Sequence, residues 1–400
     1  MATPNPLTSI PDQKTPGRPV EITFAAETGL PSALQELLLF GHAATGATGV
    51  NSVIQISNAG DFDAGKAEAE TKFGVGSELA KMVAAAIKAN QDTQRFVTIK
   101  CVPLANSDTA FGTSDAALTA AGKVKAEFIV SPYDLTDATL RDKIKDLAQV
   151  MSGPQRPDNN QFGTVATAFN RSVTDPSLLP APDSQYFMGF WLPDTGTGGD
   201  APAYSVAEMA AALTARVAAN PVPFNPQDSE VIFGLDAPKL QTDWITVGAS
   251  LESEVALGKG ITPVRVKPNG DVAFVRTVTS RLTTNGITAV GAYYDVQDFQ
   301  VLYYFRKTVW TRVNQPDFQT RKASQGAAQD LKSEVLRLMA AFQDQNMFQA
   351  VDQLAKQVVV QRSSTDRHRF DVFIPVNVIP GLHVIATNIQ AGTQFDNFTI

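Results

Sequence analysis

Residues Leu251 to Val278 read LESEVALGKGITPVRVKPNGDVAFVRTV. A helical segment ends at Gly258 or Gly260, a strand follows from Ile261 to Val266, and a second strand runs from Val272 to Val278. Between them Lys267-Pro268-Asn269-Gly270 reads as a tight turn, because Asn-Gly tolerates the positive φ that a two-strand reversal needs. Val264 and Val266 alternate with Arg265 and Lys267, and Val275 stands beside Arg276. That alternation predicts a hairpin with one buried and one charged face. Nothing in it is nucleophilic or metal-binding, so it is a scaffold element.

Upstream, the helix leading into the hairpin carries Trp244, Val247, Leu251 and Val255. Earlier still, Ser205 and Glu208 form a capping box in front of Met209, Leu213 and Val217. Tyr186 to Leu192, Gly163 to Phe169, Glu127 to Val130, Phe96 to Val102 and Val53 to Ile56 read as strands, and Leu37 to Gly41 as an apolar run. Ser77 caps a helix with Leu79, Met82, Val83, Ala86 and Ile87 on one side, and Leu140, Ile144, Leu147 and Met151 repeat at helical spacing. This strand–helix–strand order predicts an α/β layer. The first nineteen residues hold Pro4, Pro6, Pro11, Pro16 and Pro19 and read as an extended arm. Val20-Glu21-Ile22-Thr23-Phe24 then alternates as a strand, either adding to a neighbour's sheet or forming an edge of its own domain.

Downstream of Arg281 the character changes. Val296 to Val313 reads as a helix with Phe299, Leu302, Tyr303, Trp310 and Val313 on one stripe and Arg306 within it. Ala328, Leu331, Val335, Leu338 and Phe342 mark a cleaner amphipathic helix. Val358 to Val360, Phe370 to Ile374 and Leu382 to Ile389 read as strands, and Thr393 to Ile400 as a short tail.

The totals exclude several classes. The chain has 400 residues, 44% of them hydrophobic, and a net charge of -7. It can bury a large core in about two domains, and it lacks the basic balance of a nucleic-acid binder. No apolar run reaches membrane-span length, and the first residues do not read as a signal peptide. The single cysteine, Cys101, lies in the strand-like VTIKCVPL and reads as a small buried hydrophobe.

Chemistry-bearing patterns are weak. Gly60-Asp-Phe-Asp-Ala-Gly65-Lys66 matches the start of a phosphate-binding loop, but Ala67 stands where a metal-binding hydroxyl belongs, and Asp61 and Asp63 would repel phosphate. The plain reading is an exposed loop before a helix; the sharper one is a nucleotide-dependent soluble α/β enzyme. Gly196-x-Gly198-x-x-Ala201 mimics a dinucleotide fingerprint, yet the next helix starts only at Ser205. His42, His368 and His383 have no second histidine at helical zinc spacing. No catalytic, cofactor-binding or metal residue is singled out. Arg306 reads either as a side chain snorkelling from its stripe or as a contact to an acidic patch on a partner.

The run Gly260-Ile261-Thr262-Pro263-Val264-Arg265-Val266, then Gly270-Asp271-Val272-Ala273-Phe274-Val275-Arg276-Thr277-Val278-Thr279-Ser280-Arg281, resembles the sheath proteins of contractile phage tails, particularly the Mu-like branch. The pattern there is GITPLRV followed by G-x-V-x-I/V-x-R-x-V-T-S/T-R. Phe73-Gly74-Val75-Gly76-Ser77 with Leu79 and Met82, Val130-Ser131-Pro132-Tyr133 before its helix, and Arg369-Phe370-Asp371-Val372-Phe373-Ile374-Pro375 are also similar to the family, in the same order.

The resemblance implies a mixed-sheet α/β (α+β) fold. Its parts are an N-terminal arm (1–25), an α/β sheath domain (26–280, least typical over 151–228), a tube-facing C-terminal domain (281–390) and a C-terminal arm (391–400). It implies a non-enzymatic, cofactor-free structural subunit of a virion, assembled in the host cytoplasm as hexameric rings stacked helically around a tail tube protein. Baseplate and tail terminator proteins are further implied partners, with no nucleic acid and no membrane insertion. Val20, Ile22 and Phe24, and Phe395, Phe398 and Ile400, would then exchange strands between subunits, and Arg306 would face the tube or a neighbour. Another self-assembling tail or baseplate component is the alternative within the same setting.

Overall fold

The computed structural model describes residues 35–93, 95–152, 163–171, 173, 175–192, 204–220, 226–236, 252–267, 269–284, 287–288, 294–320, 322–364 and 369–381. The arm strand Val20 to Phe24, the start of the Trp244 helix, the Gly196–Ala201 pattern, His368, the apolar run Leu382 to Ile389 with His383, and the tail residues Phe395, Phe398 and Ile400 lie outside them.

Strand β1 (Glu36–His42) lies inside the main sheet. Leu37 and Leu39 enter one hydrophobic cluster while Leu38 and Phe40 enter another. Successive side chains of a strand point to opposite faces, so four consecutive apolar residues require packed layers on both sides.

In chain order there follow β2 (Ile54–Gln55), α1 (Phe62–Phe73), α2 (Glu78–Lys88), β3 (Thr98–Leu104), α3 (Ala116–Ala121), β4 (Phe128–Val130) and α4 (Ala138–Ser152). Then come β5 (Val165–Asn170), β6 (Phe187–Trp191), α5 (Val206–Ala218), β7 (Val231–Asp236), α6 (Glu252–Gly258), β8 (Ile261–Val266) and β9 (Asp271–Phe274). The last part holds β10 (Thr283–Thr284), β11 (Ile287–Thr288), α7 (Val296–Val313), α8 (Pro316–Gln319), α9 (Gln325–Asp344), α10 (Val351–Leu354), β12 (Val359–Arg362) and β13 (Phe370–Phe373).

Nine strands form one mixed sheet in the order β2-β3-β1-β4-β5-β6-β8-β9-β7. The pairs from β3 through β8 are parallel, and β2–β3, β8–β9 and β9–β7 are antiparallel. Helices α1, α2 and α5 cover one face; α3, α4 and α6 cover the other. The expected mixed-sheet α/β architecture is therefore present, with a helical part carrying a small hairpin after it.

The hairpin that opened the sequence reading is β8–β9, where the parallel sheet turns antiparallel. Its turn closes through Gly270 N to Lys267 O at 2.8 Å, with Gly270 at φ 90°. The expected alternation holds towards the turn, where Val264 and Val266 are buried while Arg265 and Lys267 are half-exposed and bond Ser229, but Ile261, Thr262 and Pro263 are buried on both faces. The reason is position, since the first half of β8 runs between the helix layers on the two faces of the sheet, with Ile261 in one cluster and Val264 in the other. The second strand ends at Phe274 rather than Val278.

One further reading is corrected. Gly60–Lys66 is not an exposed loop; the helix α1 begins at Phe62, with Asp61 capping it by accepting from Ala64 N at 2.8 Å. Only Gly65, Ala69 and Phe73 of α1 are buried, so its apolar signal is thin. Helix α5 buries Met209, Leu213 and Val217, and more besides. It is buried all round, including Glu208 and Arg216, because the sheet lies on one side and α2 and β7 lie against it as well. Its capping box is present as read.

Candidate assembly surface

The segment after β9 joins the sheet to the last part of the chain, and the resemblance motif lies in that joint. Gly260 takes φ 68°, and a Cβ there would lie 2.8 Å from Ser280 Cα, so the two segments touch backbone to backbone. Buried hydroxyls close the contact. Thr262 Oγ1 accepts from Val278 N at 2.9 Å and Ser280 Oγ donates to Gly260 O at 3.1 Å. Gln297 of α7 donates to Thr277 Oγ1 at 2.5 Å. These bonds pair the buried hydroxyls of Thr262, Thr277 and Ser280, while Gln297 Oε1 is buried without a hydrogen-bond partner. Arg276 completes the joint with a two-pronged ion pair to Asp295, the residue preceding α7.

Helix α7 then lies along the amino-terminal ends of the parallel strands. Tyr303 covers Gly163 so closely that a Cβ there would meet the ring at 2.1 Å. Gln300 donates to Gln35 Oε1 at 2.9 Å. A cluster of lysines and glutamates lies at the same end. Glu36 bonds Lys100 and, at 3.4 Å, Lys125; Glu127 Oε1 lies 3.4 Å from Lys125 and 3.9 Å from Lys307 of α7. Burial opposes ionisation of Glu36, but bonds from Lys100 and the charge of Lys125 hold its carboxyl below the usual range. Burial pushes the Lys307 ammonium down, with Glu127 only partly offsetting it.

Arg306 is half-buried in this contact and donates to Ser152 O at 2.9 Å. Ser152 is the last residue of α4. Arg306 therefore caps the carbonyl end of that helix, where a cation is favoured by the helix dipole.

Beyond the joint a second small core forms. Phe305 and Phe348 lie 5.0 Å apart, and Phe342 lies 5.0 Å from Phe305 and 5.1 Å from Phe348. Arg312 ties α7 to α8 and α9 through paired bonds of 2.9 Å to Asp317 and one of 2.8 Å to Glu334.

Beside α9 stands β12–β13, a two-stranded antiparallel sheet. Its residues are unusually bare: Phe373 is 61% exposed, Val359 43% and Val372 39%. An isolated two-stranded hairpin is marginal in water, and such apolar edges invite further strands.

The alternative chemistry fares differently. The amino terminus of α1, where a nucleotide phosphate would sit, is occupied by the chain's own Asp61 carboxylate. Gly65 lies within the helix, where a Cβ would stand 2.4 Å from Ile87 Cδ1 and 2.7 Å from Asn58 O, so it serves close helix packing. Cys101 is fully buried, and burial pushes its thiol well above the usual range. Among the described residues there is no cluster of three metal-ligating side chains and no helix long and apolar enough to cross a membrane.

Sequence reasoning missed the lysine–glutamate cluster and a clamp on His42, because their members lie far apart in the chain.

The sequence matches no protein-family model and no curated protein. Solved structures are similar over almost the whole chain. The sheath tail protein Lin1278 of Listeria innocua aligns with a TM-score of 0.62 at 11% identity, over 88% of this chain and 94% of that one. The sheath tail protein DSY3957 of Desulfitobacterium hafniense aligns at 0.57 and 12% identity, over 90% of this chain and 100% of that one. A chain of the anti-feeding prophage baseplate aligns at 0.61 and 11% identity, over 97% and 100% respectively. The fold is thus that of the tail sheath proteins.

Proposed function

We propose that this chain is the structural sheath subunit of a contractile tail. Copies form hexameric rings stacked helically around a tail tube, and contraction of that polymer drives the tube through a host envelope. The reading rests on one observation above the shared fold: β12–β13 is a bare two-stranded sheet with Phe373, Val359 and Val372 exposed. Strands from neighbouring copies complete it. The donors are the alternating Val20, Ile22 and Phe24 of the amino-terminal arm and Phe395, Phe398 and Ile400 of the tail. Exchange of this kind provides main-chain hydrogen bonds for affinity and alternate side chains for register.

On this reading residues 26–280 form the outer domain and 281–390 the tube-facing domain. Any Arg306 donors not used on Ser152 face the tube protein or a neighbour. Baseplate and terminator proteins close the polymer's ends inside the host cytoplasm, before the virion is released. No catalysis and no nucleotide are involved, because a metastable polymer stores its own free energy. The likeness to a baseplate chain favours a second reading, a short ring component.

Deleting residues 1–25 tests the exchange. The truncated chain should stay a folded monomer by circular dichroism and sedimentation yet give no ordered polymer by negative-stain microscopy. Tubes of normal order from the truncation would sink the arm-exchange idea. Short capped rings from the full chain would favour the baseplate reading.

A further inference from the structure

At the carboxyl end of β1 the His42 ring is held at both nitrogens, and both holders are hydrogen-bond acceptors. Nδ1 lies 2.8 Å from Glu78 Oε1, in the first turn of α2. Nε2 lies 2.8 Å from the carbonyl oxygen of Asp108. Neutral imidazole carries one N–H and can satisfy only one of them. The arrangement therefore needs one additional proton within the His42–Glu78 pair.

Asp108 belongs to a loop in an uncommon backbone conformation. Phe111, Ser114 and Asp115 take φ of 64°, 55° and 56°, the left-handed region that L side chains rarely adopt. Such residues persist only where surrounding contacts over-determine them. Several specific contacts surround the loop. Phe111 packs edge-on against Phe40 at 5.3 Å and Tyr133 at 5.0 Å. Asp108 Oδ1 accepts from Tyr133 Oη and from Ala110 N, each at 2.9 Å. Lys143 bonds Asp115 at 2.6 Å. The titratable groups facing His42 are Glu78 from α2, Asp108 from the loop, and Tyr133 from the segment after β4, whose ring lies 5.6 Å away.

We propose that His42 is a proton-operated latch: it docks the 105–115 loop on the carboxyl end of the sheet while the shared proton is present, and lets it loosen when that proton leaves. The inference does not rest on the assembly reading, because the latch lies at the opposite end of β1 from the α7 contact.

The electrostatics agree in sign. The Glu78 hydrogen bond raises the His42 pKa against the opposing effect of burial, and the Glu78 charge and the Asp108 carbonyl add to the rise. A raised folded value means that the latch contributes fully below the free-histidine pKa and is lost as pH climbs through the folded one. Burial and Asp108 keep the Tyr133 phenol protonated across that window, so its own bond persists.

Amide protection over 105–115, normalised to intrinsic exchange, should fall as pH rises from the free-histidine pKa through the raised folded one. The expected fall is about tenfold per pKa unit separating His42 from free histidine. Glu78→Gln should keep the loop protected at every pH, since its amide donates to Nδ1 while the neutral ring donates to Asp108. His42→Ala should leave the loop weakly protected throughout. If that variant does not fold, ring titration of the intact chain by NMR decides with Glu78→Gln. A His42 ring titrating at or below the free value, flat wild-type protection, or a wild-type pH profile in Glu78→Gln would overturn the latch.

Discussion

Arg276 and Asp295 meet through two parallel N–H···O bonds of 2.8 Å, with the Arg276 guanidinium also 5.2 Å from the centre of the Tyr294 ring. The pair joins the end of the β8–β9 hairpin to the start of α7. It explains why an arginine stands in the motif that carried the family resemblance: it fastens the joint rather than facing a partner. Asp295 is 7% exposed at its side chain, so removing the arginine leaves a carboxylate with little water to replace it.

Arg276→Ala should therefore destabilise the chain by about 3 kcal/mol, the scale of breaking a buried pair from one side. Arg276→Lys should recover only part of this, because a point ammonium cannot reproduce the planar fork. Midpoints of urea unfolding for the two variants measure both. Equal loss in the two would mean that the pairing geometry is irrelevant and only packing is lost.

The α1 region separates packing from phosphate chemistry. Gly65→Ala gains helix propensity but forces a methyl against Ile87 and the Asn58 carbonyl. Overpacking outweighs propensity here, so a net loss of about 1–2 kcal/mol is expected. Lys66→Ala removes only a 3.9 Å contact to Glu70 on the surface and should change stability by less than about 0.5 kcal/mol. Calorimetric titration with ATP should show no binding by the parent chain. Micromolar binding that disappears in Lys66→Ala would restore the nucleotide reading.

How far the sequence carried the fold depends on the range of each signal. Helix α7 matches its expected span from Val296 to Val313, and Ser77 and Ser205 cap α2 and α5 as read, because caps and apolar stripes are local. The hairpin's location and the Val264/Arg265 alternation were legible, but not the burial of Ile261 to Pro263 on both faces, since that depends on the helices packed above and below the sheet. Helix α1 was missed because its exposed length is mostly charged and alanine-rich. The His42 clamp joins residues 36 and 66 positions apart, a separation no spacing rule can show. The bare hairpin was legible as strands but not as a surface, because exposure is a property of the packed chain.

Acid stability provides a test at the β2 end of the sheet. Burial opposes ionisation of Glu68, but bonds from Lys72 and from the backbone N–H groups of Ser57 and Asn58 prevail, bringing its pKa to about 2. A depressed folded pKa means that its contribution is complete above the unfolded value of 4.5 and is lost as pH falls towards 2. Glu68→Gln should be less stable than the parent at pH 7, and the difference should shrink steadily below pH 4.5. A constant difference across that range would show that the carboxylate's charge contributes nothing.

The β12–β13 hairpin is where fold and assembly are most cleanly separable. Phe373 and Val359 are exposed enough that replacing them with aspartate removes little buried area from the monomer. Val359 and Phe373 face each other across the ladder, so the paired aspartates should cost about 1 kcal/mol within the hairpin and leave the rest of the chain folded. In the polymer the same positions would lie beneath a donated strand. A carboxylate there must either be desolvated or exclude the strand. Phe373→Asp with Val359→Asp should therefore sediment as a well-folded monomer at concentrations where the parent chain forms tubes. The truncation lacking residues 1–25 still presents the hairpin and loses only the donor. Adding an excess of the isolated arm peptide to it should bury Phe373, read as lost solvent quenching of a reporter beside that ring, and the double aspartate variant should show no such response. Normal tubes from the aspartate variant would mean that the bare hairpin is ordinary surface and that subunits join elsewhere.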